Sequence, residues 1–243
     1  MNNRAQVTLL LLAAASGAVD ALAFTALGTV FAGVMTGNLV LLGISAGQGS
    51  MAEVAGPLYA LGGYVAGAAA AALVCRTGKE GGTWGGVWPG AVVAWLCAQC
   101  GLLGAVAVIG AALDGRPGGA WQTVLLVVAA VAMGGQSAAM VAAGAGAAPT
   151  TYFTGTLTTL VTGTVEGTDR HAGQFWVAAR LTAVVGGAAC AVGVHESAAP
   201  WGFVPPAVLT ACAVACQKPA QRLRRAVTRA AGNPFQAARD ETH

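Results

Sequence analysis

Charged side chains are scarce in this chain, and their scarcity decides its class. They make up 9% of the 243 residues, whereas hydrophobic residues make up 56%. A soluble domain carries roughly a quarter charged residues, and so few charges could not cover a core of this size with a polar surface. The composition therefore excludes an ordinary soluble domain and indicates an integral membrane protein in contact with the lipid bilayer.

Catalytic motifs and histidines are scarce as well. The three histidines, His171, His195 and His243, are scattered, and no Walker loop, H-E-x-x-H, G-x-S-x-G or dinucleotide fingerprint occurs. Cys97 and Cys100 have the C-x-x-C spacing of redox and metal sites, but no second pair or nearby histidine completes one. We therefore predict that the protein is not an enzyme and holds neither a cofactor nor a metal.

Long apolar runs stand in place of charge. A helix needs about 20 mostly apolar residues to cross a bilayer, and six segments meet or approach that length. They are Val7–Gly28, Val54–Cys75, Trp88–Leu113, Trp121–Gly146, Gln174–Val194 and Trp201–Cys216. The 36 glycines fit this class, because small residues let helix backbones approach closely in lipid. The sequence predicts an all-α polytopic membrane protein with six transmembrane helices.

The two halves of the chain follow one plan, which indicates two internal repeats. When "MTGN" from Met35 is placed over "FTGT" from Phe153, Gly17 falls on Gly135 without a gap. Each half then has a long apolar segment with polar interruptions, a short segment that opens with Thr-Gly, and two more spans. The matching order of these elements is stronger support for a duplication than the few identities.

The segments that follow the two Thr-Gly steps are short for a crossing. They run about Thr36–Gly47 and Thr154–Glu166, which suits re-entrant or half-spanning helices. If they do not cross, each half has three spans and the halves have inverted topology; if they do, each half has four and the halves are parallel. Positive charges favour six spans by a small margin, since Arg116 is then the only basic residue outside. Eight spans would move Arg76 and Lys79 outside.

A single transmembrane domain is expected to cover residues 1–217, with repeat one at about 7–113 and repeat two at about 121–217. Residues 218–243 form a basic tail with six lysines and arginines. This tail could bind nucleic acid or lipid, but we favour a solvated cytoplasmic end that fixes orientation and touches anionic headgroups, with no nucleic-acid partner. Both termini are then cytoplasmic, and a homo-oligomer stays open.

Two charged residues lie inside predicted spans, where each costs about 2.5–3.5 kcal/mol at mid-span on insertion scales. Asp20 is near the middle of the first span, and Arg180 is a few residues into the fifth. They could form an ion pair that locks two helices, or Arg180 could extend to the inner surface. Alternatively, Asp20 is a cation or proton site and Arg180 an anionic-substrate site.

Uncharged polar residues gather at matching places in the two halves. Gln136 and Ser137 lie beside glycines in the fourth span, and threonines or Asn38 open the short segments. Such side chains can cap exposed N–H groups, and the positive helix ends favour an anion. Interrupted segments at matching positions of two repeats indicate a transporter binding site. The alternative is that these residues only cap and join helices.

The first Thr-Gly block resembles the first signature of the YoaK family of bacterial inner-membrane proteins. That signature is Gly-x-x-Asp followed by Met-Thr-Gly-Asn, and Gly17, Asp20 and Met35–Asn38 match it. The resemblance extends roughly from Val7 to Gln217. It implies a location in the bacterial cytoplasmic membrane but supplies no substrate.

The second block resembles the other family signature, a Gln-Asn pair followed by Pro-Thr-Thr-Tyr-x-Thr-Gly-Thr. Gln136 and Pro149–Thr156 match it, and Tyr152 is the matching tyrosine. Ser137 replaces the asparagine, and the basic residues expected after that pair are missing. If those residues contact a ligand in the family, this chain does so differently.

We predict a small-molecule transporter, an exporter included, with a midplane site between the repeats. Asp20 would bind a coupling proton or cation or tune the charge of the substrate. The predicted site residues are Asp20, Thr36, Asn38, Gln136, Ser137, Tyr152, Thr154, Thr156 and Arg180. The alternative is a non-transporting membrane scaffold or partner protein. A channel ranks third, because the sequence has no ring of charge or sustained polar stripe.

Overall fold

A computed structural model gives the fold of the chain and describes residues 3–76, 88–144, 153–165 and 171–231. Every regular element in these ranges is helical. The helices are α1 Asn3–Ala26, α2 Met35–Gly47, α3 Met51–Arg76, α4 Gly90–Ala112, α5 Ala120–Ala142, α6 Thr154–Val165, α7 His171–Ser197 and α8 Val204–Ala231. A short 3-10 helix, Ala199–Trp201, precedes α8.

Six of the described helices, α1, α3, α4, α5, α7 and α8, are long and apolar enough to cross a membrane. The other two, α2 and α6, have 13 and 12 residues and are too short to do so. The prediction of an all-α membrane protein with six transmembrane helices and two short ones is confirmed. Five of the six predicted spans end within a few residues of the observed helices. The sixth helix, α8, continues well beyond its predicted end.

Two helices, α1 and α5, occupy the centre of the bundle. Their spans are 72% and 67% buried, whereas those of α3 and α7 are 28% and 17% buried. α1 packs along α7 and α8, and α5 packs along α3 and α4. Both central helices are rich in alanine, whose small side chain suits close packing in lipid.

The directions of the long helices follow from two buried clusters at opposite ends of the bundle. Leu9 near the start of α1 packs in one cluster with Cys75 at the end of α3, Met140 at the end of α5 and Val214 on α8. We call this end of the bundle the N-terminal face. α1 therefore leaves this face and α3 returns to it, so α2 between them completes no crossing. This order of directions is that of six spans, since eight would put Cys75 at the opposite face.

The first four helices and the last four can be exchanged without changing which helices pack together. When α1 is swapped with α5, α2 with α6, α3 with α7 and α4 with α8, each main helix pairing becomes another pairing that is also present. The two sets run in opposite directions, because α1 leaves the N-terminal face and α5 approaches it. This is the arrangement that an inverted duplication predicts, and the duplication itself stays a prediction.

The closest helix crossings also recur in the two halves. A Cβ on Gly17 would collide with the carbonyl oxygen of Val184 on α7, and a Cβ on Gly134 would collide with that of Tyr64 on α3. In both pairs the partner helix returns the contact with a glycine three residues further along. The geometry therefore matches Gly17 with Gly134, one residue away from the Gly135 of the gapless alignment.

The last helix joins the predicted tail to the membrane domain. α8 continues without a break to Ala231, past Gln217, where the predicted domain ends. The first part of the predicted basic segment 218–243 is therefore a continuation of α8. Residues 232–243 lie outside the described part of the chain.

Candidate functional site

The segment 27–34 links α1 to α2 and folds back into the bundle. The N–H of Gly33 donates to Oδ1 of Asp20 at 2.6 Å, and Asp20 lies six residues before the end of α1. At a rise of about 1.5 Å per residue, the segment thus returns about 9 Å along α1 before α2 begins. α2 then leads to the face where α3 starts. Residues 27–47 therefore enter the bundle and leave it at the same face, and we call them the re-entrant segment.

Asp20 on α1 accepts a hydrogen bond from the backbone just before the N-terminus of α2. Its carboxylate also interacts with the backbone amides of Ala32 and Val34. Val34, the N-cap residue of α2, forms no side-chain capping bond of its own. The carboxylate therefore satisfies backbone donors and lies at the positive end of the α2 dipole. Gly33 permits this approach, because a Cβ there would lie 3.0 Å from Oδ2 of Asp20.

Asn38 holds the same segment from the other side. Its Oδ1 accepts the N–H of Phe31 at 2.9 Å, and its Nδ2 donates to the carbonyl oxygen of Phe31 at 2.6 Å. The side chain is fully buried. Because unpaired backbone groups are costly away from water, Asn38 replaces the partners that Phe31 lacks outside a helix.

A cavity of about 600 Å³ lies between α1, the re-entrant segment and α7. Its polar lining residues are Ser16, Asp20 and Thr25, and its aromatic ones are Phe24, Phe31 and Phe153. Aliphatic residues of α7 between Val184 and Val192 form the remaining wall together with small residues of α1. Ligand pockets usually enclose about 300–1,000 Å³ and combine apolar walls with few polar groups. The cavity therefore has the size and composition of a small-molecule site.

Gln136 belongs to a buried polar network away from this cavity. Its Oε1 accepts a hydrogen bond from Nε2 of Gln99 on α4 at 2.5 Å, and its Nε2 donates to the carbonyl oxygen of Leu12 at 3.4 Å. The neighbouring Ser137 donates to the carbonyl oxygen of Met133 one turn back. These bonds join α5 to α4 and α1 in the core.

Arg180 is buried in α7 but does not pair with Asp20. It is 6% exposed, and its Nε has no hydrogen-bond partner among the described residues. α1 and α7 run in the same direction and cross near Gly17 and Val184, with Asp20 beyond the crossing and Arg180 before it. At about 1.5 Å per residue, roughly 10–20 Å of helix axis separates the two charges. The interpretation of an ion pair between these two helices is therefore wrong.

The remaining predicted residues lie at the starts of the short helices. Thr36 is exposed in the first turn of α2, Thr154 is exposed at the start of α6, and Thr156 is in the first turn of α6. Tyr152 lies outside the described residues. Of the predicted site residues whose side chains the structure describes, Asp20 lines the cavity, whereas Thr36, Asn38, Gln136, Ser137, Thr154 and Arg180 do not.

Sequence reasoning missed the polar partners in the core. Gln99 is fully buried on α4, and Gln217 donates from Nε2 to Oγ1 of Thr8 at 3.0 Å. The first pair joins the consecutive helices α4 and α5, and the second joins the first and last helices of the bundle. The available signal was an amide inside a predicted apolar span, which for Gln99 stands between the two cysteines of the C-x-x-C step. Cys97 and Cys100 themselves are not joined by a disulfide.

Comparison with known proteins identifies a family. Residues 8–216 match the family described as "Protein of unknown function (DUF1275)". The chain belongs to the DUF1275 family. The match covers all or most of each of the six candidate membrane helices, so this DUF1275 protein is a multi-pass membrane protein in contact with lipid.

The DUF1275 chain is also similar to the "UPF0700 transmembrane protein YoaK" of Bacillus subtilis (strain 168). The two are 33% identical over 151 residues, which is 62% of this chain and 63% of the relative. The match thus spans less than two thirds of that relative. No solved structure matches the chain. The resemblance to the YoaK family seen in the two Thr-Gly blocks is confirmed.

Proposed function

We propose that this protein transports a small molecule, which occupies the cavity between α1, the re-entrant segment and α7. The observation that carries the proposal is the cavity itself, about 600 Å³ in volume with the carboxylate of Asp20 in its wall. Carboxylates inside membrane spans are costly and usually mark substrate or ion pathways. The proposal assigns no catalytic residue, since the protein would release its substrate unchanged.

The interrupted helix beside the cavity supports the same proposal. Transporter sites lie where broken helices bring backbone groups to the middle of the membrane. Here the N–H of Gly33 in the segment between α1 and α2 reaches Asp20, six residues before the end of α1. The exchange pattern of the helix pairings supports an inverted duplication, in which two halves could rock against each other around the site.

A non-transporting scaffold is the competing proposal, and one observation favours it. Asn38 is fully buried and both of its polar atoms bond Phe31, as expected of a side chain that only holds the segment in place. Asp20 differs from Asn38 because it also lines the cavity. The two residues therefore separate a structural role from a ligand role.

A metabolite comparison tests transport against the scaffold. Deletion cells would be complemented with the wild type, Asp20→Asn or Asp114→Asn at matched membrane expression, and retained and released metabolites would be measured. Asp114→Asn is the matched control, because Asp114 is exposed in the turn after α4. We expect the control to restore the wild-type profile and Asp20→Asn to leave the deletion profile. Identical profiles in deletion and wild-type cells would reject transport.

The orientation is part of the proposal. We propose that the protein resides in the bacterial cytoplasmic membrane with its N-terminal face in the cytoplasm. Arg4 and Arg76 belong to helix ends at that face, whereas Arg116 belongs to the turn at the opposite face. An excess of basic residues marks cytoplasmic loops.

A further inference from the structure

We propose that the cavity binds an amphipathic organic cation, a molecule with one ammonium or similar charged group on an apolar or aromatic body. The inference rests on the proposed transport function and names the class of its substrate. Three properties of the described cavity carry it: the sign of its charge, the nature of its walls and the place where it opens.

The charge of the cavity wall favours a cation. Asp20 is the charged side chain of the lining in the described residues, and no lysine, arginine or histidine accompanies it there. Arg180 lies before the crossing of α1 and α7, on the other side of it from Asp20. An opposite charge gains most from a carboxylate where the dielectric constant is low, and an anion at the same place would be repelled.

The walls favour an apolar body over a hydrated ion. Phe24 and Phe31 are stacked with ring centroids 5.1 Å apart, and Phe153 contributes a third ring to the lining. Aromatic faces attract organic cations and also bury their apolar parts. A hard metal ion instead needs about six oxygen ligands. The side chains of the described lining offer far fewer, with Ser16 and Thr25 beside Asp20.

The cavity also opens where a lipophilic molecule would arrive. Phe24 is 41% exposed and Val185 is 68% exposed, and both are lining residues on membrane-spanning helices. Exposed apolar side chains on membrane-spanning helices face the acyl chains of the bilayer. An amphipathic cation that partitions into the membrane would therefore reach Asp20 from the side, without crossing the N-terminal face.

A pair of probes with the same shape and opposite charge tests the inference. Tetraphenylphosphonium and tetraphenylborate would be titrated into the full-length protein in lipid nanodiscs, with empty nanodiscs as the partition control. We expect saturable binding of the cation, no saturable binding of the anion, and none of tetramethylammonium, which lacks the apolar body. Asp20→Asn should weaken cation binding by at least about tenfold, while Asp114→Asn should bind as the wild type does.

A second variant protects the test against a folding defect of Asp20→Asn. Ala188 of α7 also lines the cavity, so Ala188→Phe would fill the space without removing the charge and should also abolish binding. Preferential binding of tetraphenylborate, or cation binding that neither variant weakens, would overturn the inference. Either result would leave transport itself to be judged by the metabolite comparison, so the two proposals can fail separately.

Discussion

Asp20 makes a structural contact that the sequence did not predict and also lies in the wall of the cavity. Its carboxylate accepts the N–H of Gly33, which holds the re-entrant segment, and it also lines the cavity. The sequence identified Asp20 because a charge in an apolar span is conspicuous. It could not identify Gly33 as the partner, because a backbone N–H carries no residue-specific signal.

The structural role of Asp20 predicts different stabilities for two substitutions. Asp20→Asn keeps an oxygen that can accept the N–H of Gly33, whereas Asp20→Ala leaves this donor buried and unsatisfied. An unsatisfied buried donor costs about 1–3 kcal/mol, so the alanine variant should unfold at the lower temperature in detergent. The thermal midpoints of the two purified variants measure this difference. Equal midpoints would mean that the bond to Gly33 contributes nothing to stability.

Asn38 should behave as a purely structural residue. Asn38→Ala would leave both backbone groups of Phe31 without their present partner. At about 1–3 kcal/mol for each unsatisfied group, we expect a large loss of stability. Thr36→Ala is the control, because Thr36 is exposed in the same turn of α2. Protease resistance in membranes would measure the stability of the two variants. An Asn38→Ala variant as resistant as Thr36→Ala would contradict the role assigned to Asn38.

At the scale of helices, glycine positions set how closely the bundle packs. The sequence predicted that glycines let helix backbones approach closely, but it could not tell which of two adjacent glycines faces a neighbour. The structure distinguishes them. A Cβ on Gly187 would collide with the carbonyl oxygen of Ala14 on α1, whereas a Cβ on Gly186 meets open space. The choice depends on the rotation of α7, which only the whole bundle determines.

This difference gives a matched pair of substitutions on neighbouring residues of α7. Gly187→Ala should force α1 and α7 apart and destabilise the protein, while Gly186→Ala should be neutral or stabilising by up to about 1 kcal/mol, since alanine favours helix. Thermal unfolding of both variants in the same detergent measures the effect. If the two midpoints shift equally, the close crossing of α1 on α7 is not required for stability.

The same limit of sequence reasoning explains the fate of the other site residues. Gln136 was identified as a polar interruption in an apolar span and predicted as a site residue, but it is buried and bonds Gln99 instead. Its partner Gln99 was missed, because pairing across α4 and α5 depends on where the two helices face each other. Arg180 and Asp20 were placed in the correct spans, but their separation depends on the point at which α1 crosses α7.

For the whole molecule, the number of spans could be predicted from the sequence, but the contact that fixes the helix directions could not. Hydropathy identified the six long helices, and the small margin in positive charge favoured six spans over eight. The decisive observation is that Leu9 and Cys75 share one buried cluster, which places the start of α1 and the end of α3 at the same face. No local sequence pattern contains that information, because the contact joins residues that are far apart in the chain.

Labelling of single cysteines in intact cells tests both the six-span topology and the proposed orientation. The six native cysteines would be replaced, and Gln48→Cys, Arg76→Cys and Gly118→Cys would be made one at a time at exposed positions. With six spans and a cytoplasmic N-terminal face, a membrane-impermeant thiol reagent should label the cysteines at 48 and 118 in intact cells. It should label the cysteine at 76 only after permeabilisation.

Eight spans would reverse all three results, as would six spans in the opposite orientation. A reporter fused to the C-terminus separates these two cases, because α8 ends at the side of α1's start in both and that side is cytoplasmic only in the eight-span protein. Asn3→Cys gives the same distinction, since position 3 would be protected in the eight-span protein and labelled in the inverted one.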